Sequence, residues 1–451
     1  MNCQKLFTSL VFALGLIASA AVAGAAELTL NEAIQTALRR NPTVQAAQLQ
    51  ATAGAWSVGE AAAGWLPRLS FDSSWSRPDD QTYDDADQQY QAAKRAGSET
   101  ERTLWRDNYS SSLVASQPIF NGGAEYCGLR IALSQREAAR FAAADARLQA
   151  IRDVTVAFFG VQQTEALWKA AKETLAWAKE SLALYRKRFE LGQSASPEVL
   201  RWEAEEAQAE SDLAVAENDY RQALMDLAQA IGLPPSEAVV LPPAEERIDA
   251  KSWQRSAEIL AAAEPATAAW DRHPLRRQQQ ETTKQAEIQH WQGIGSFLPS
   301  VNATFQYNWA TNDTLALDDR TSWTAGVGVE IPLFQGLKAL SGERKTAAEL
   351  QARRWTENAE RWAFQRRGQA AFLQLKSARL RIVASERARE QAKANQDLVR
   401  QRLQVGLDAN LQLLDAQKAY RTAQAGLIQA VGDFQIALAE WDYVTAVASG
   451  D

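Results

Sequence analysis

The chain has 451 residues, of which 48 are lysine or arginine and 55 are aspartate or glutamate, so its net charge is −7. This acidic balance argues against a nucleic-acid-binding protein, which presents a basic surface, and two histidines with two cysteines are too few for a Cys/His zinc cluster. Only the N-terminus carries a long apolar run. Because each membrane-spanning helix needs about 20 such residues, a helical-bundle membrane protein is excluded.

The N-terminus has the features of a secretory signal peptide. Lys5 supplies a short positive region, residues 6–20 are apolar, and small residues follow at 21–25. We expect residues 1–25 to be removed during export; an uncleaved membrane anchor is the alternative. The mature chain then keeps a single cysteine, Cys127, and can form no intrachain disulfide even in an oxidising compartment.

The rest of the sequence is a tandem duplication. Arg40-Asn41-Pro42 returns as Arg272-His273-Pro274, and Leu66-Pro67 returns as Leu298-Pro299, both with a shift of 232 residues. Later matches share a shift of 214 residues, and they include Pro118 with Pro332, Arg188 with Arg402, Gly192 with Gly406, and Tyr220 with Phe434.

The change of shift indicates one long insertion in the first half. The insertion, at about residues 77–108, is polar and acidic, and we expect a long surface loop there. Paired prolines after the first half mark a connector. The predicted organisation is therefore a first repeat at 26–232, a Pro-rich connector at 233–254 and a second repeat at 255–451.

Each repeat contains two segments in which polar and apolar residues alternate with period two, which is typical of half-buried strands. We predict strands at about 68–77, 109–118, 299–310 and 321–332. Each is about ten residues long, the length of a tilted membrane-spanning strand. Soluble hairpins with the apolar face on a core are the alternative. Tryptophans lie near the strand ends, where an interfacial aromatic girdle belongs: Trp75, Trp105, Trp309 and Trp323.

Long stretches without proline predict four long helices, at about 121–191, 197–231, 336–405 and 410–446. The second helix of each repeat has a seam of residues spaced by three and four, in which alanine recurs, and this is typical of coiled-coil packing. Ser196 and Asn410 are the predicted N-caps of these helices. A plain four-helix bundle is the alternative, but it leaves the strand pairs unexplained.

Four amphipathic strands cannot close a barrel by themselves. They leave two open edges, which are not tolerated in lipid, and the smallest bacterial barrels have about eight strands. A chain whose strands span a membrane must therefore oligomerise.

Several short motifs follow one another in a specific order along the mature chain. They are Leu28-Thr29-Leu30-Asn31-Glu32-Ala33 with Asn41-Pro42, the two Leu-Pro strand starts, Gln117-Pro118-Ile119-Phe120-Asn121-Gly122-Gly123, and the Arg-(Phe/Leu)-x-(Leu/Val)-Gly turns that begin at Arg188 and Arg402. In this order they resemble the TolC-like outer-membrane efflux protein family.

The resemblance implies a fold of long coiled-coil helices combined with a membrane β-barrel. Three chains would form a twelve-stranded barrel in the outer membrane of a Gram-negative-type bacterium, on an α-barrel tunnel that extends into the periplasm. The implied function is the exit duct of a tripartite efflux or type I secretion system. The implied partners are two further copies of the chain, a periplasmic adaptor, an inner-membrane transporter and outer-membrane lipid. A periplasmic coiled-coil adaptor is the alternative function.

In that family the helix tips close the periplasmic mouth and also meet the adaptor. Two acidic residues one helical turn apart follow the second turn, and here those positions hold Gln412 and Asp415. Glu198 is the first-repeat equivalent of Gln412. Some relatives restrain the closed tip with a tyrosine and an arginine, but the matching positions here hold Leu403 and Asp408, so that lock is not recognisable. The aperture candidates are Gln412, Asp415, Glu198 and Asp408, and a solvated helix face is the alternative for each carboxylate. The expected adaptor-docking residues are Arg188, Leu191, Gly192, Arg402, Val405, Gly406 and Leu407.

Sequence motifs of catalysis are missing. The chain has neither a phosphate-binding loop ending in Gly-Lys-(Ser/Thr) nor a Gly-x-Ser-x-Gly nucleophile elbow. We therefore expect no enzymatic activity, no cofactor and no bound metal.

Overall fold

The computed structural model describes residues 28–99, 104–234, 241–242, 249–262, 266–311, 321–404 and 410–446. The predicted signal peptide lies outside these residues. The first repeat contains, in chain order, α1 (Leu30–Arg40), α2 (Pro42–Ala63), β1 (Arg68–Ser76), α3 (Asp80–Arg95), β2 (Asn108–Asn121), α4 (Ala124–Glu190) and α5 (Ser196–Ile231).

The elements of the second half follow a similar order, but two helices, α6 and α7, precede α8 where α1 alone precedes α2, and α3 has no counterpart. They are α6 (Ala250–Ala262), α7 (Ala266–Arg272), α8 (Pro274–Gly295), β3 (Ser300–Thr311), β4 (Thr321–Glu330), α9 (Lys338–Gln404) and α10 (Asn410–Thr445). Equivalent helices have equal lengths: 22 residues in α2 and α8, 67 in α4 and α9, and 36 in α5 and α10. A helix of 67 residues is about 100 Å long.

The four strands form one antiparallel sheet in the order β1-β2-β3-β4. The central pair joins the two repeats, since β2 pairs with β3. The register places Phe71 opposite Leu113, Leu113 opposite Tyr307, and Tyr307 opposite Trp323, so the apolar positions of all four strands share one face. Within the described chain, β1 and β4 each keep one edge without a strand partner.

The long helices lie side by side below the sheet. Next to the sheet, α2 contacts α4, α4 contacts α8, and α8 contacts α9. Farther from the sheet, α5 contacts α4, α4 contacts α10, and α10 contacts α9. The described chain is therefore a layer of helices with α2 and α5 on one flank and α9 on the other.

Each helical hairpin has its own core about halfway along its length. In the first, Ile34 of α1 packs with Val154 and Phe158 of α4 and with Leu227 and Ile231 of α5. In the second, residues of α9 pack against residues of α10, and the buried members are Leu375, Ala378, Ile382, Ala430, Phe434, Ala437 and Leu438. The predicted seams of α5 and α10 lie on the buried or half-buried side of both helices, which confirms the coiled-coil packing.

Two predictions about the segments that connect the strands and the repeats were wrong. The insertion is not simply a loop, because it contains α3: Asp79 caps this helix by accepting a hydrogen bond from the Thr82 N–H at 3.0 Å, and Gly97 with φ +74 ends it. The connector region also contains structure, since α6 begins at Ala250. Among the described residues, no helix combines the length and apolarity needed to cross a membrane.

Candidate functional site

The tip of the first hairpin is a tight turn held by backbone hydrogen bonds. The Gly192 N–H donates to the Phe189 carbonyl at 2.9 Å, and the Gln193 N–H donates to the Arg188 carbonyl at 2.8 Å. This is a Schellman motif, and Gly192 supplies the positive φ of +69° that it needs. The tip therefore has a defined shape, with the exposed Leu191 at its apex.

The start of α5 differs from the prediction by one residue. Ala195 is the N-cap and makes no side-chain cap bond, so Ser196 is the first helical residue instead. The Ser194 hydroxyl donates to the Glu198 carboxylate. The aperture candidate Glu198 is half-buried and engaged in this local contact, which also places its negative charge in the first turn of a helix, where the dipole favours it.

The second tip is only partly described. Arg402 is exposed in the last turn of α9, whereas Val405, Gly406, Leu407 and Asp408 lie outside the described residues. Their roles remain predictions from the resemblance. Asn410, the predicted N-cap of α10, is instead the first helical residue, like Ser196 in the first repeat.

The first turns of α10 separate a buried from an exposed face. Leu414 and Ala416 are buried, while Gln412 and Asp415 are exposed. Among the described residues Asp415 has no ion-pair partner, and the nearby Lys418 is paired with Glu205 of α5 instead. The Asp415 carboxylate is therefore exposed and can interact with ions in the solvent beside the start of α10.

An aromatic cluster joins the two hairpins close to the tips. Trp202 of α5 stacks on Tyr185 of α4 with ring centroids 5.4 Å apart and meets Trp177 edge-on at 4.9 Å. Leu414 of α10 packs into the same cluster. The sequence placed Trp202 in a seam, but it gave no signal that Leu414, more than 200 residues later, would contact it.

Two arginines cover the rings of this cluster. The guanidinium of Arg188 lies 5.6 Å from the Tyr185 ring, and that of Arg421 lies 4.5 Å from the Trp177 ring. Burial lowers the pKa of Arg421 below its ordinary value. The guanidinium nevertheless keeps its positive charge, because arginine is not deprotonated in proteins. Cation–π attraction thus strengthens the contact between α10 and α4.

We expect Trp202→Ala to lower the free energy of unfolding by about 3–5 kcal/mol, because this buried ring fills the contact between the hairpins. The measurement is denaturant unfolding of the detergent-solubilised protein, followed by far-ultraviolet circular dichroism. Trp291→Ala is the matched control, since that ring is exposed and its loss should cost less than about 1 kcal/mol. Equal losses for both variants would contradict the role of the cluster.

The four predicted girdle tryptophans come together at the end of the sheet that is distant from the long helices. Trp75 pairs with Tyr109, Trp309 pairs with Ser111, and Trp323 pairs with Tyr307. Trp105 precedes β2 at the same end. Their role as an interfacial girdle remains a prediction.

A second band of exposed apolar side chains, which was not predicted from the sequence, lies at the helix end of the strands. The two bands are separated by about nine residues of strand, or about 30 Å along a strand. At a tilt of about 40° this length spans about 23 Å, which is close to the height of about 25 Å of the apolar band of a membrane barrel. The sequence feature that could have predicted this band is the position of its residues in and beside the Leu-Pro and Pro-(Ile/Leu)-Phe motifs. The members include Trp65, Leu66, Ile119, Phe120, Phe297, Leu298, Leu333 and Phe334.

The model of one protein family, described as outer membrane efflux protein, matches residues 33–233 and 275–441, which together exceed half of the chain. The chain belongs to this family. The two matched segments fall on the two repeats, and the insertion with α3 lies within the first.

Relatives of this efflux protein include secretion and efflux components. Protein CyaE of Bordetella pertussis is 24% identical over 409 residues, which are 88% of this chain and 80% of that protein. The alkaline protease secretion protein AprF of Pseudomonas aeruginosa is 24% identical over 431 residues, 93% of this chain and 83% of its own.

Solved structures share the fold of this efflux protein. The outer membrane protein VceC from Vibrio cholerae has a TM-score of 0.76 at 17% identity and covers 92% of this chain and 95% of its own. The open state of the MtrE outer membrane channel of Neisseria gonorrhoeae has a TM-score of 0.72 at 19% identity, with coverages of 93% and 89%. The predicted fold class is confirmed.

As an outer membrane efflux protein, the chain resides in the outer membrane and extends into the periplasm. Its family consists of outer-membrane channel proteins, and members are trimeric channels of tripartite pumps. The localisation and transport function expected from the sequence are therefore confirmed.

Proposed function

We propose that three copies of this chain close into an exit duct for efflux or type I secretion. The duct receives cargo from an inner-membrane transporter through a periplasmic adaptor that docks on the tips, and it releases the cargo outside the cell. The observation that carries this proposal is the pair of open flanks: strand edges β1 and β4, with unpartnered apolar helix surfaces below them. The number three comes from the family.

The flank formed by α9 carries an exposed apolar stripe. Trp355, Trp362, Leu373 and Leu380 are separated by 7, 11 and 7 residues, which are close to whole numbers of helical turns, so all four point the same way. All four are exposed, Trp362 at 62% and Leu380 at 65%. Large apolar side chains that are exposed at regular intervals along one face of a helix are typical of an interface.

The opposite flank carries matching apolar side chains. Leu49 and Trp56 are exposed on α2 beside the sheet, and Leu200 and Val215 are exposed on α5 farther down. If α9 of one copy packs on α2 and α5 of the next, then β4 of that copy meets β1 of the next as well. This head-to-tail contact uses two different surfaces, and it forms a ring when the rotation between successive copies closes. Only such a closed ring removes both open strand edges.

We expect Leu380→Glu to break the particle into smaller species, because the variant places a charge in the apolar contact at a cost of at least about 2 kcal/mol per interface. The measurement is the number of chains per detergent-solubilised particle by light scattering. Gln374→Glu is the matched control, since it adds the same charge to an exposed position of the same helix, away from the stripe. A stable Leu380→Glu trimer would contradict the assignment of this interface.

A further inference from the structure

The two repeats contain similar joints that are held by different capping residues. Asn41 and His273 each precede a proline and cap the helix that leads towards the sheet. The Asn41 side-chain amide donates to the Ala230 carbonyl in the last turn of α5 at 2.8 Å. The His273 ring bonds to the Tyr443 carbonyl in the last turn of α10 at 3.1 Å. Each side chain thus ties the start of one helix to the end of the hairpin below.

The bonding pattern defines the tautomer of His273. The Leu275 N–H donates to its Nδ1 at 3.2 Å, so Nδ1 carries no proton, and the Nε2–H donates to the Tyr443 carbonyl. In the first repeat, the Asn41 Oδ1 accepts from the Thr43 N–H at 2.8 Å. The neutral imidazole therefore reproduces with two ring nitrogens what Asn41 does with one amide.

Protonation affects only one of these joints. An amide does not titrate, whereas a protonated imidazole has donors on both nitrogens. A proton on Nδ1 would face the Leu275 N–H and remove the acceptor that caps α8. Water cannot compensate, because the His273 ring is fully buried and packed against Phe364 and Tyr443 with centroid distances of 4.8 and 5.2 Å.

The carboxylate nearest to the ring is already occupied. The Asp145 Oδ1 lies 3.9 Å from the His273 Nδ1, and Asp145 accepts hydrogen bonds from the Tyr443 hydroxyl at 3.2 Å and from Gln149 at 2.7 Å. Burial raises the pKa of Tyr443 to about 12, so this hydroxyl remains a donor. Burial also lowers the pKa of His273, and this effect outweighs the opposing attraction of Asp145.

The other charged side chains near the joint are arginines and the carboxylates with which they form ion pairs. Arg152 and Arg367 lie over the Tyr443 ring at 4.9 and 5.7 Å, and both approach Glu440 at 3.8 Å. The titratable and charged groups on the surrounding elements are Asp145 and Arg152 on α4, Arg255 on α6, Asp271 on α7, Arg276 on α8, Arg367 on α9, and Glu440, Asp442 and Tyr443 on α10.

We propose that His273 makes the joint between α8 and α10 sensitive to acid: at acidic pH this joint opens more often, while the opening of the equivalent joint between α2 and α5, held by Asn41, does not change. Acidification thereby loosens the second hairpin selectively. This proposal concerns a device within one chain and does not depend on the exit-duct function.

The sign follows from proton linkage. Because the open joint binds the proton more readily than the closed one, closure is most stable above the ordinary histidine pKa of about 6.5. It weakens as the pH falls through the range between that value and the lowered pKa of the closed joint. One proton gives at most about a tenfold change in the opening equilibrium per pH unit.

Hydrogen exchange of the detergent-solubilised full chain at pH 7.5 and pH 5.5 tests this proposal. After correction for the intrinsic exchange rate, protection in the first turn of α8 and the last turn of α10 should fall by up to about tenfold. The protection of backbone amides in the first turn of α2 and in the last turn of α5 should stay constant. An equal response at both joints, or none at the second, would overturn the proposal.

The repeats offer a reciprocal control. His273→Asn should abolish the pH response of the second joint, and Asn41→His should create one in the first. A response that persists in His273→Asn would overturn the proposal. If His273→Asn does not fold, nuclear magnetic resonance of a His290→Gln chain, in which His273 is the only histidine left, gives its titration midpoint directly. A titration midpoint of His273 below about 6.5 supports the proposal, and a midpoint at or above about 6.5 overturns it.

Discussion

Leu191→Asp should stop export while leaving the assembled particle intact. Leu191 lies at the apex of the first tip with its side chain 64% exposed, and no described part of the chain covers it. The backbone turn does not need this side chain, because Gly192 and the backbone hydrogen bonds define it. A negative charge at the helix C-terminus costs only about 0.3–1 kcal/mol, which is too little to unfold the hairpin.

The expected loss therefore comes from the docking surface. Replacing a central apolar contact by a charge costs at least about 2 kcal/mol of binding, or more than tenfold in affinity. Export is measured in cells whose only copy is the variant, and adaptor contact is measured by crosslinking from Gln193. Leu184→Asp, the same change seven residues earlier on the same face of α4, is the control. Normal export and crosslinking by Leu191→Asp would show that this tip does not dock.

Asp415→Ala should make the channel less selective for cations. Asp415 lies five residues after the start of α10, about 8 Å along the helix, and three symmetry-related copies would form a ring near the mouth. Low-dielectric walls focus the field of such a ring. The exposed Gln412 adds no charge, whereas Glu198 keeps its negative charge while it accepts a hydrogen bond from Ser194 and adds to the potential of the Asp415 ring.

Single-channel recording in planar bilayers measures this effect. The permeability ratio of cations to anions should fall in Asp415→Ala, and block by trivalent cations should weaken by about tenfold. Asp433→Ala is the control on the same helix, since Asp433 is paired with Arg381 at 2.8 Å and lies about 27 Å farther from the tip. Unchanged selectivity in Asp415→Ala would place this carboxylate on a solvated outer face.

Local patterns were sufficient to predict most of the fold. The proline-free stretches and the seams predicted α4, α5, α9 and α10, because helical periodicity is a property of neighbouring residues. Period-two alternation predicted the strands for the same reason. The insertion was predicted to be a loop from its polar and acidic composition alone, and α3, which begins after the Asp79 cap, was missed.

Contacts between distant residues could not be predicted. Leu414 meets Trp202 across two hairpins, and His273 bonds to the end of α10 across 170 residues. Such contacts depend on how the helices pack against one another in three dimensions. The periodicity of the sequence within each helix does not determine that packing. The sequence did show that Asn41 and His273 are equivalent, but only the packed structure shows what both side chains hold.

The central claim is that the chain spans the outer membrane, with the β1–β2 insertion outside the cell and the helix tips in the periplasm. Labelling with a membrane-impermeant maleimide tests it on intact cells, in a Cys127→Ser background that removes the one described cysteine. Gln91→Cys, exposed on α3, and Gln193→Cys, exposed at the first tip, are the two reporters.

The exit duct predicts that Gln91→Cys is labelled on intact cells, whereas Gln193→Cys is labelled only after the outer membrane is permeabilised. A periplasmic adaptor or another protein enclosed by the outer membrane predicts a different pattern. If both cysteines were protected until permeabilisation, the claim that this chain spans the outer membrane would be contradicted.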